Sequence, residues 1–354
     1  MSTIAKIIEI LDPQAGRLRE TELRDQAPNG ALPLFEARAG RPMTLLEAAS
    51  TADFPTLLRD GIRSIAFDSY AGVRVTWPDL VTVFPSSKQS EDWIEENAIG
   101  ELPVVSENTP YPVGKQDLDR TVNIRNYKRG LILEITEEMI KFNKTLLIQR
   151  QAQQLGRAAA NTREQAVYSV LNTVGNYVRT TAAGDNDIGN NTAATTFSAT
   201  GLNTALAVLR TMKDAKSGVY LGVNPDTLVV TPRLEMAAKQ LLLSPTLMVH
   251  GGDTLLKVYG TGTSNPFRGL INRIVVSPRL GTSYQWVLME GKMAVALQEV
   301  DGLQILTQEA RRAENEGYFM YDHIKYRGRD WFGVGMLNDR FAYYSSSTTA
   351  PTVD

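Results

Sequence analysis

The chain has 354 residues, 43% hydrophobic and 21% charged, with a formal net charge of −2. That length exceeds what one hydrophobic core usually serves, so two subdomains are expected, and the near-neutral balance gives no electrostatic reason for tight binding to nucleic acid or an anionic membrane. The absence of cysteine excludes disulfides, thiolate zinc sites and cysteine nucleophiles, and the only imidazoles are those of His250 and His323. The start, Met1-Ser2-Thr3-Ile4-Ala5-Lys6, lacks the charged and apolar regions of a signal peptide, and no apolar run approaches the ~20 residues a membrane span needs. A soluble protein made in a cytoplasm is expected.

In chain order, residues 1–61 read as an arm. Ile4, Ile7, Ile8 and Leu11 form one short helical stripe, a charged run follows, and Thr44-Leu45-Leu46-Glu47 has the spacing of a capping box. So little apolar surface cannot fold alone, and the arm is expected to be held by a neighbouring chain. From about Ile65 to Ile135 the pattern becomes strand, polar insert, strand. Val73, Val75 and Trp77 alternate with Arg74 and Thr76, and Val122 and Ile124 alternate with Thr121, Asn123 and Arg125. Between them, Phe84 to Lys115 carries Pro85, Pro103, Pro110 and Pro112 with several carboxylates. Two strands around so long an insert predict an extended hairpin, which is barely stable in water without something to lie on.

Thr136 is a good N-cap, with Glu137 and Glu138 suited to a helix's first turn. Apolar positions recurring from Met139 to Val174 predict one uninterrupted helix on the order of 55 Å long. The segment Thr180 to Thr200 is small and polar. Asp185-x-Asp187-x-Gly189 opens like a calcium loop, but Thr196 stands where the bidentate Glu is needed, so it reads as a plain loop. A helix is expected from Leu202 to Asp214 and a buried strand at Thr227–Val230. Thr231 and Pro232 are placed to cap the helix after it. Ile271–Val276, Trp286–Met289 and Met293–Leu297 read as strands. The glycine-rich Gly251 to Gly269 lacks the lysine and third glycine of a phosphate cradle.

Nine of the 27 aromatics fall between Tyr318 and Tyr344, interleaved with charge and free of proline. That composition predicts a long closing strand packed against the long helix. No hydrolase, metalloprotease, P-loop or dinucleotide fingerprint occurs. His323 beside Asp322 reads as structural, and the pairs Glu95/Glu96 and Glu137/Glu138 read as solvated. The prominent features are an arm, a projecting hairpin, a strut and a closing strand, which suit assembly better than catalysis.

These parts, in this order, resemble the major capsid proteins of tailed bacteriophages, which share the fold named after phage Hong Kong 97. The resemblance runs from about Asp53 onward. It rests on Asn224-Pro225-Asp226-Thr227-Leu228-Val229-Val230, on Asn265-Pro266-Phe267-Arg268-Gly269 leading to Ile274-Val275-Val276-Ser277-Pro278, and on Gly333-Val334-Gly335 to Asp339-Arg340. Asp53-Phe54-Pro55 through Tyr70, then Trp77, looks most like the Mu-type head subunits. The resemblance implies an α+β capsid fold: an N-terminal arm (1–61), an extended hairpin loop with flanking strands (62–135), a spine helix and peripheral domain (136–217), an axial domain (218–301) and return strands completing the peripheral domain (302–354). It implies hexamers and pentamers tiling an icosahedral shell around double-stranded DNA, built in the host bacterial cytoplasm and located in the virion.

The implied partners are further copies of the chain, a separate scaffolding protein, a portal protein and optionally a decoration protein. Packaged DNA lies near the inner wall without specific contact, and no membrane is involved. No cofactor, metal or catalytic site is expected. With only about sixty residues before the hairpin, little or no proteolytic processing is expected. Arg327, Arg329 and Arg340 are expected between subunits, with Trp77 and Arg125 as further candidates. The alternatives are an encapsulin-type nanocompartment shell, an α/β enzyme without a recognisable motif, and a surface-layer protein, which the missing secretion signal disfavours.

Overall fold

The structure, a computed structural model, describes residues 54–96, 98–114, 118–142, 144–178, 190–245, 264–281, 283–307 and 323–351. The expected arm helix at Thr44, the loop at Asp185, His250 and most of the glycine-rich segment lie outside them. In chain order the first elements are α1 (Phe54–Gly72), β1 (Val81–Pro85), β2 (Ser90–Glu96), β3 (Leu118–Arg125), β4 (Tyr127–Thr136), α2 (Glu137–Lys141) and α3 (Thr145–Leu171). Then come β5 (Thr192–Ala193), α4 (Ala199–Arg210), β6 (Thr227–Val230), α5 (Glu235–Leu243), β7 (Arg273–Val276) and β8 (Trp286–Met289). The long strands β9 (Val295–Thr307) and β10 (His323–Met336) and the short β11 (Ala342–Ser345) complete the chain. A four-stranded sheet has the order β1-β9-β10-β4, with β1 parallel to β9 from Val81↔Val295 to Pro85↔Glu299. The chain divides into two compact units, as its length suggests. The larger takes in residues 74–129, 161–302 and 330–354, and the smaller the remainder.

The larger unit is organised by a five-stranded sheet of order β5-β11-β8-β6-β7. β6 runs parallel to β7 and antiparallel to β8, which pairs antiparallel with β11. Residues alternate between its faces. Leu228, Val230, Trp286, Leu288 and Tyr343 join one buried cluster with α4 and α5. Val229, Val287, Met289, Ala342 and Tyr344 join another with Val167, Tyr168 and Leu171 of α3. A strand covered on both faces has no reason to alternate apolar with polar, which is why Thr227–Val230 and Trp286–Met289 read as unbroken apolar runs. Phe332 of β10 belongs to the second cluster, so the expected packing of closing-strand aromatics on the long helix holds.

In the smaller unit, Ile62 of α1, Ile135, Ile140, Ile148, Ala152 and the closing-strand residues Ile324 and Tyr326 form the core. Here α1 and α3 meet backbone to backbone. A Cβ on Gly156 would lie 2.1 Å from the Ala66 carbonyl oxygen and 2.9 Å from the Tyr70 nitrogen. Gly156→Ala should therefore destabilise this unit by about 1–3 kcal/mol despite alanine's better helix propensity, because the obstruction is backbone rather than a movable side chain. An unchanged or raised thermal midpoint for the variant would contradict this packing.

Five expectations need correction. Residues from Ile65 do not begin a strand but continue α1, where Ile62, Ala66 and the half-buried Ile65 recur at helical spacing; the boundary at residue 61 therefore falls inside a helix. The alternation Val73–Trp77 forms no strand either. The amides of Thr76 and Trp77 and the Thr76 hydroxyl all donate to the Glu164 carboxylate at 2.6–3.2 Å, so the donors a ladder would need are taken by a side chain. The hairpin is instead β2–β3, inside the segment read as an insert.

The strut is not one helix. Thr136 does cap α2, its hydroxyl accepting from Met139 N, but α2 ends after Lys141 and α3 starts at Thr145, leaving a 27-residue helix. Phe142-Asn143-Lys144-Thr145 supplies cap-forming residues at that elbow. Lastly, Thr231 and Pro232 do stand at the N-cap and in the first turn, but of a 3₁₀ turn over Pro232–Leu234 that precedes α5, and the Thr231 hydroxyl donates to the Ser283 carbonyl at 2.9 Å instead of capping an amide.

Candidate assembly surface

The hairpin β2–β3 pairs antiparallel from Ser90↔Arg125 to Glu96↔Leu118, with an irregularity at Glu95/Glu96. One face of β2 (Glu91, Trp93, Glu95) turns inward, while Asp92, Ile94 and Glu96 are exposed. Its base is fastened at several points. The Trp93 ring lies 4.7 Å from that of Phe84. With its amide oriented so that the oxygen faces the Trp93 indole, the fully buried Gln298 accepts from that indole and donates to Asn126 Oδ1 and the Ile124 carbonyl, both at 3.2 Å. Asn126, also buried, donates to Ser86 Oγ and the Lys88 carbonyl. A Cβ on Gly333 would meet Arg125 O and Asn126 Oδ1 at 2.6 Å, so glycine in β10 is what lets this junction approach.

Charge fixes the hairpin further out. Arg120 of β3 pairs with Asp339 at 2.9 Å, and Glu95 of β2 with Arg340 at 3.3 Å. Arg340 also holds Asp214 at 3.1 Å, where both side chains are almost wholly buried. Burial pushes the Asp214 carboxyl upward, but hydrogen bonds from the Ser217 amide and hydroxyl and from Arg340 outweigh it and keep its pKa below the usual value. A second buried network lies on α3: Arg163 grips Asp330 through two bonds of 2.6 and 2.8 Å and reaches Glu299 at 2.6 Å.

Beyond this braced base, residues 98–114 form neither helix nor strand. Leu102 is 95% exposed, Val104 99%, Tyr111 84% and Val113 86%, and Ile94 and Ile99 are exposed as well. Soluble proteins rarely show so much apolar surface in one segment unless it meets a partner. The tip is also acidic: residues 91–107 contain Glu91, Asp92, Glu95, Glu96, Glu101 and Glu107 and no lysine or arginine.

The residues expected between subunits divide differently. Arg125 and Arg327 are exposed, the former over the Tyr127 ring at 5.5 Å. Arg329 is half-buried and donates twice to Gln304 Oε1. Trp77 is half-buried in a 3₁₀ turn, held by Glu164. Arg340 departs from the exposed position that expectation assumed: it is 2% exposed and pairs with Asp214 and Glu95, so within the chain it braces the fold. Arg327 and Arg329 lie in the smaller unit, Trp77, Arg125 and Arg340 in the larger. Sequence reasoning missed the tip residues Leu102, Val104, Tyr111 and Val113. Their signal was apolar residues scattered among prolines with no helix or strand to bury them. Among the described residues no group of three His, Asp or Glu is placed to hold a metal, and no helix is long and apolar enough to cross a membrane.

Comparison with known proteins agrees with this architecture. The chain resembles the capsid of the cyanophage P-SCSP1u at 14% identity, over 78% of this chain and 89% of that one, with a TM-score of 0.52. The capsid of a native GTA particle matches at 13% identity over 78% and 92%, with a TM-score of 0.51. At such identities the likeness establishes the fold, and the expected α+β capsid fold is the one observed. No curated protein sequence matches. The family model described as phage capsid protein matches residues 119–345, from the second hairpin strand to the last strand of the sheet. By that match over most of its length, the chain belongs to the phage capsid protein family.

Proposed function

We propose that the chain is the major head subunit of a tailed bacteriophage, assembling in the host bacterial cytoplasm into hexamers and pentamers that tile an icosahedral shell around double-stranded DNA. Its other partners are a separate scaffolding protein, a portal protein and, optionally, a decoration protein. We assign the axial role to residues 218–301 and the peripheral role to the spine helix and closing strands, and no catalytic role to any residue. The observation that carries the reading is the hairpin, braced at its base and apolar at its tip. A ribbon of two strands gains little stability by itself, so a rigid base with an exposed apolar end is an arrangement for reaching another molecule. Many identical copies, each reaching the next head to tail, close into rings.

The test is to express the full chain with its scaffolding protein and image the product by negative-stain microscopy. Closed shells are expected, with the subunit extracted from them keeping the 39.0 kDa of the full chain. Only monomers and small oligomers under all assembly conditions would reject the reading, and a markedly smaller subunit would reject the absence of processing.

A further inference from the structure

We infer that the groove beside α3 in the larger unit is a binding site for phosphate, with Arg129 as its charged anchor. Asn161, Gln165 and Ser169 stand one helical turn apart on the exposed face of α3. With Arg129, Thr162 and Ala166 they line an open groove of about 360 Å³, within the range of small-molecule sites. All of these residues belong to the larger unit.

Arg129 is half-buried, and no carboxylate pairs with it among the described residues. Its Nη1 donates to the Phe332 carbonyl at 2.9 Å, and its guanidinium lies 4.1 Å from the centre of the Phe332 ring and 5.9 Å from that of Tyr127. The acid whose field reaches it, Asp330, is gripped by Arg163 through two bonds. Burial pushes the Arg129 pKa below the usual guanidinium value, and Asp330 and Tyr127 offset only part of that. An anion in the groove would supply the counter-charge that the described residues lack.

The flanking groups suit an anion with several oxygens. Arg279 donates to Gln165 Oε1 at 2.6 Å and to Asn161 Oδ1 at 3.1 Å, and it too has no carboxylate partner among the described residues. With those oxygens turned to Arg279, the amide nitrogens of Asn161 and Gln165 are donors with no acceptor among the described residues. The one carboxylate of α3, Glu164, is buried and accepts from Thr76 and Trp77. A carboxylate ligand offers a guanidinium two oxygens, whereas phosphate has more and can accept from the flanking amides as well. Free inorganic phosphate and the backbone diester of duplex DNA both carry that chemistry.

Equilibrium dialysis of the unassembled full chain against inorganic phosphate, at constant ionic strength, tests this. Saturable uptake of about one ion per chain is expected, weakened about tenfold or more in Arg129→Gln and in Gln165→Glu. Gln165→Glu places a carboxylate beside Arg279 at an exposed position, so it alters the groove's charge without touching the core. It decides the matter if Arg129→Gln does not fold. Fluorescence anisotropy of a labelled DNA duplex separates the two sources. Duplex bound by the parent and lost in Gln165→Glu assigns a backbone diester, and phosphate uptake without duplex binding assigns the free ion. Acetate bound as tightly as phosphate, equal binding by the parent and Gln165→Glu, or a parent that binds neither phosphate nor duplex overturns the assignment. No shell is needed for these measurements, so their failure leaves the major-subunit reading untouched.

Discussion

Replacing Arg340 by alanine should lower the stability of the larger unit by about 3–5 kcal/mol, the range for removing one partner of a buried ion pair. The loss arises because Asp214, 1% exposed, would keep its charge with only Ser217 to satisfy it, and the Arg340 contact to Glu95 of the hairpin would also go. Changing Arg340→Met together with Asp214→Asn should recover part of the loss, since no uncompensated charge remains buried. The pH dependence has a definite sign. Asp214 has a folded pKa below its unfolded value, so the pair contributes fully above the usual carboxylate range and is lost as pH falls through that lowered value. The stability gap between the parent chain and Arg340→Ala should therefore be widest near neutral pH and narrow in acid. The exposed Arg327 is the control, and its alanine variant should unfold like the parent. Equal denaturation midpoints for the Arg340 variant and the parent would show that the pair does not hold this unit together.

Arg340 also shows where sequence reading runs out. An arginine in an aromatic, charge-rich closing segment looks the same whether it faces a neighbour or is buried against Asp214, 126 positions away in the chain. Burial of a charge is decided by distant residues. Elements set by local chemistry were readable: β6 and β8 from their apolar runs, α2 from its Thr136 cap, and β10 from its aromatics and β-branched residues. Errors arose where a distant side chain overrode the local pattern. Glu164 takes the amides of Thr76 and Trp77 and cancels a strand that alternation favoured. The elbow after Lys141 splits a helix whose apolar period continues through it. The hairpin was recognisable as a projecting ribbon, but its first strand lies at Ser90–Glu96, where Phe84 and Gln298 hold Trp93.

Replacing Leu102, Val104, Tyr111 and Val113 together by serine should abolish shell formation while leaving the unfolding midpoint of the subunit unchanged. These four side chains are 84–99% exposed, so they contribute almost nothing to the free subunit. Buried against a neighbour, each would be worth about 1.5–3 kcal/mol, and the set about 6–12 kcal/mol per contact. Association itself costs roughly 4–15 kcal/mol in lost freedom, so removing a term of that size reverses the sign of assembly rather than merely weakening it. Arg340→Ala acts in the opposite way, through folding, and the pair of variants separates the two roles. Sedimentation velocity and denaturant titration on the same preparations read both quantities. Normal shells from the tip variant would remove the hairpin from the assembly mechanism, whatever the fold. A soluble, fully folded, unassembled subunit is the expected product, because these tip side chains lie outside the described cores.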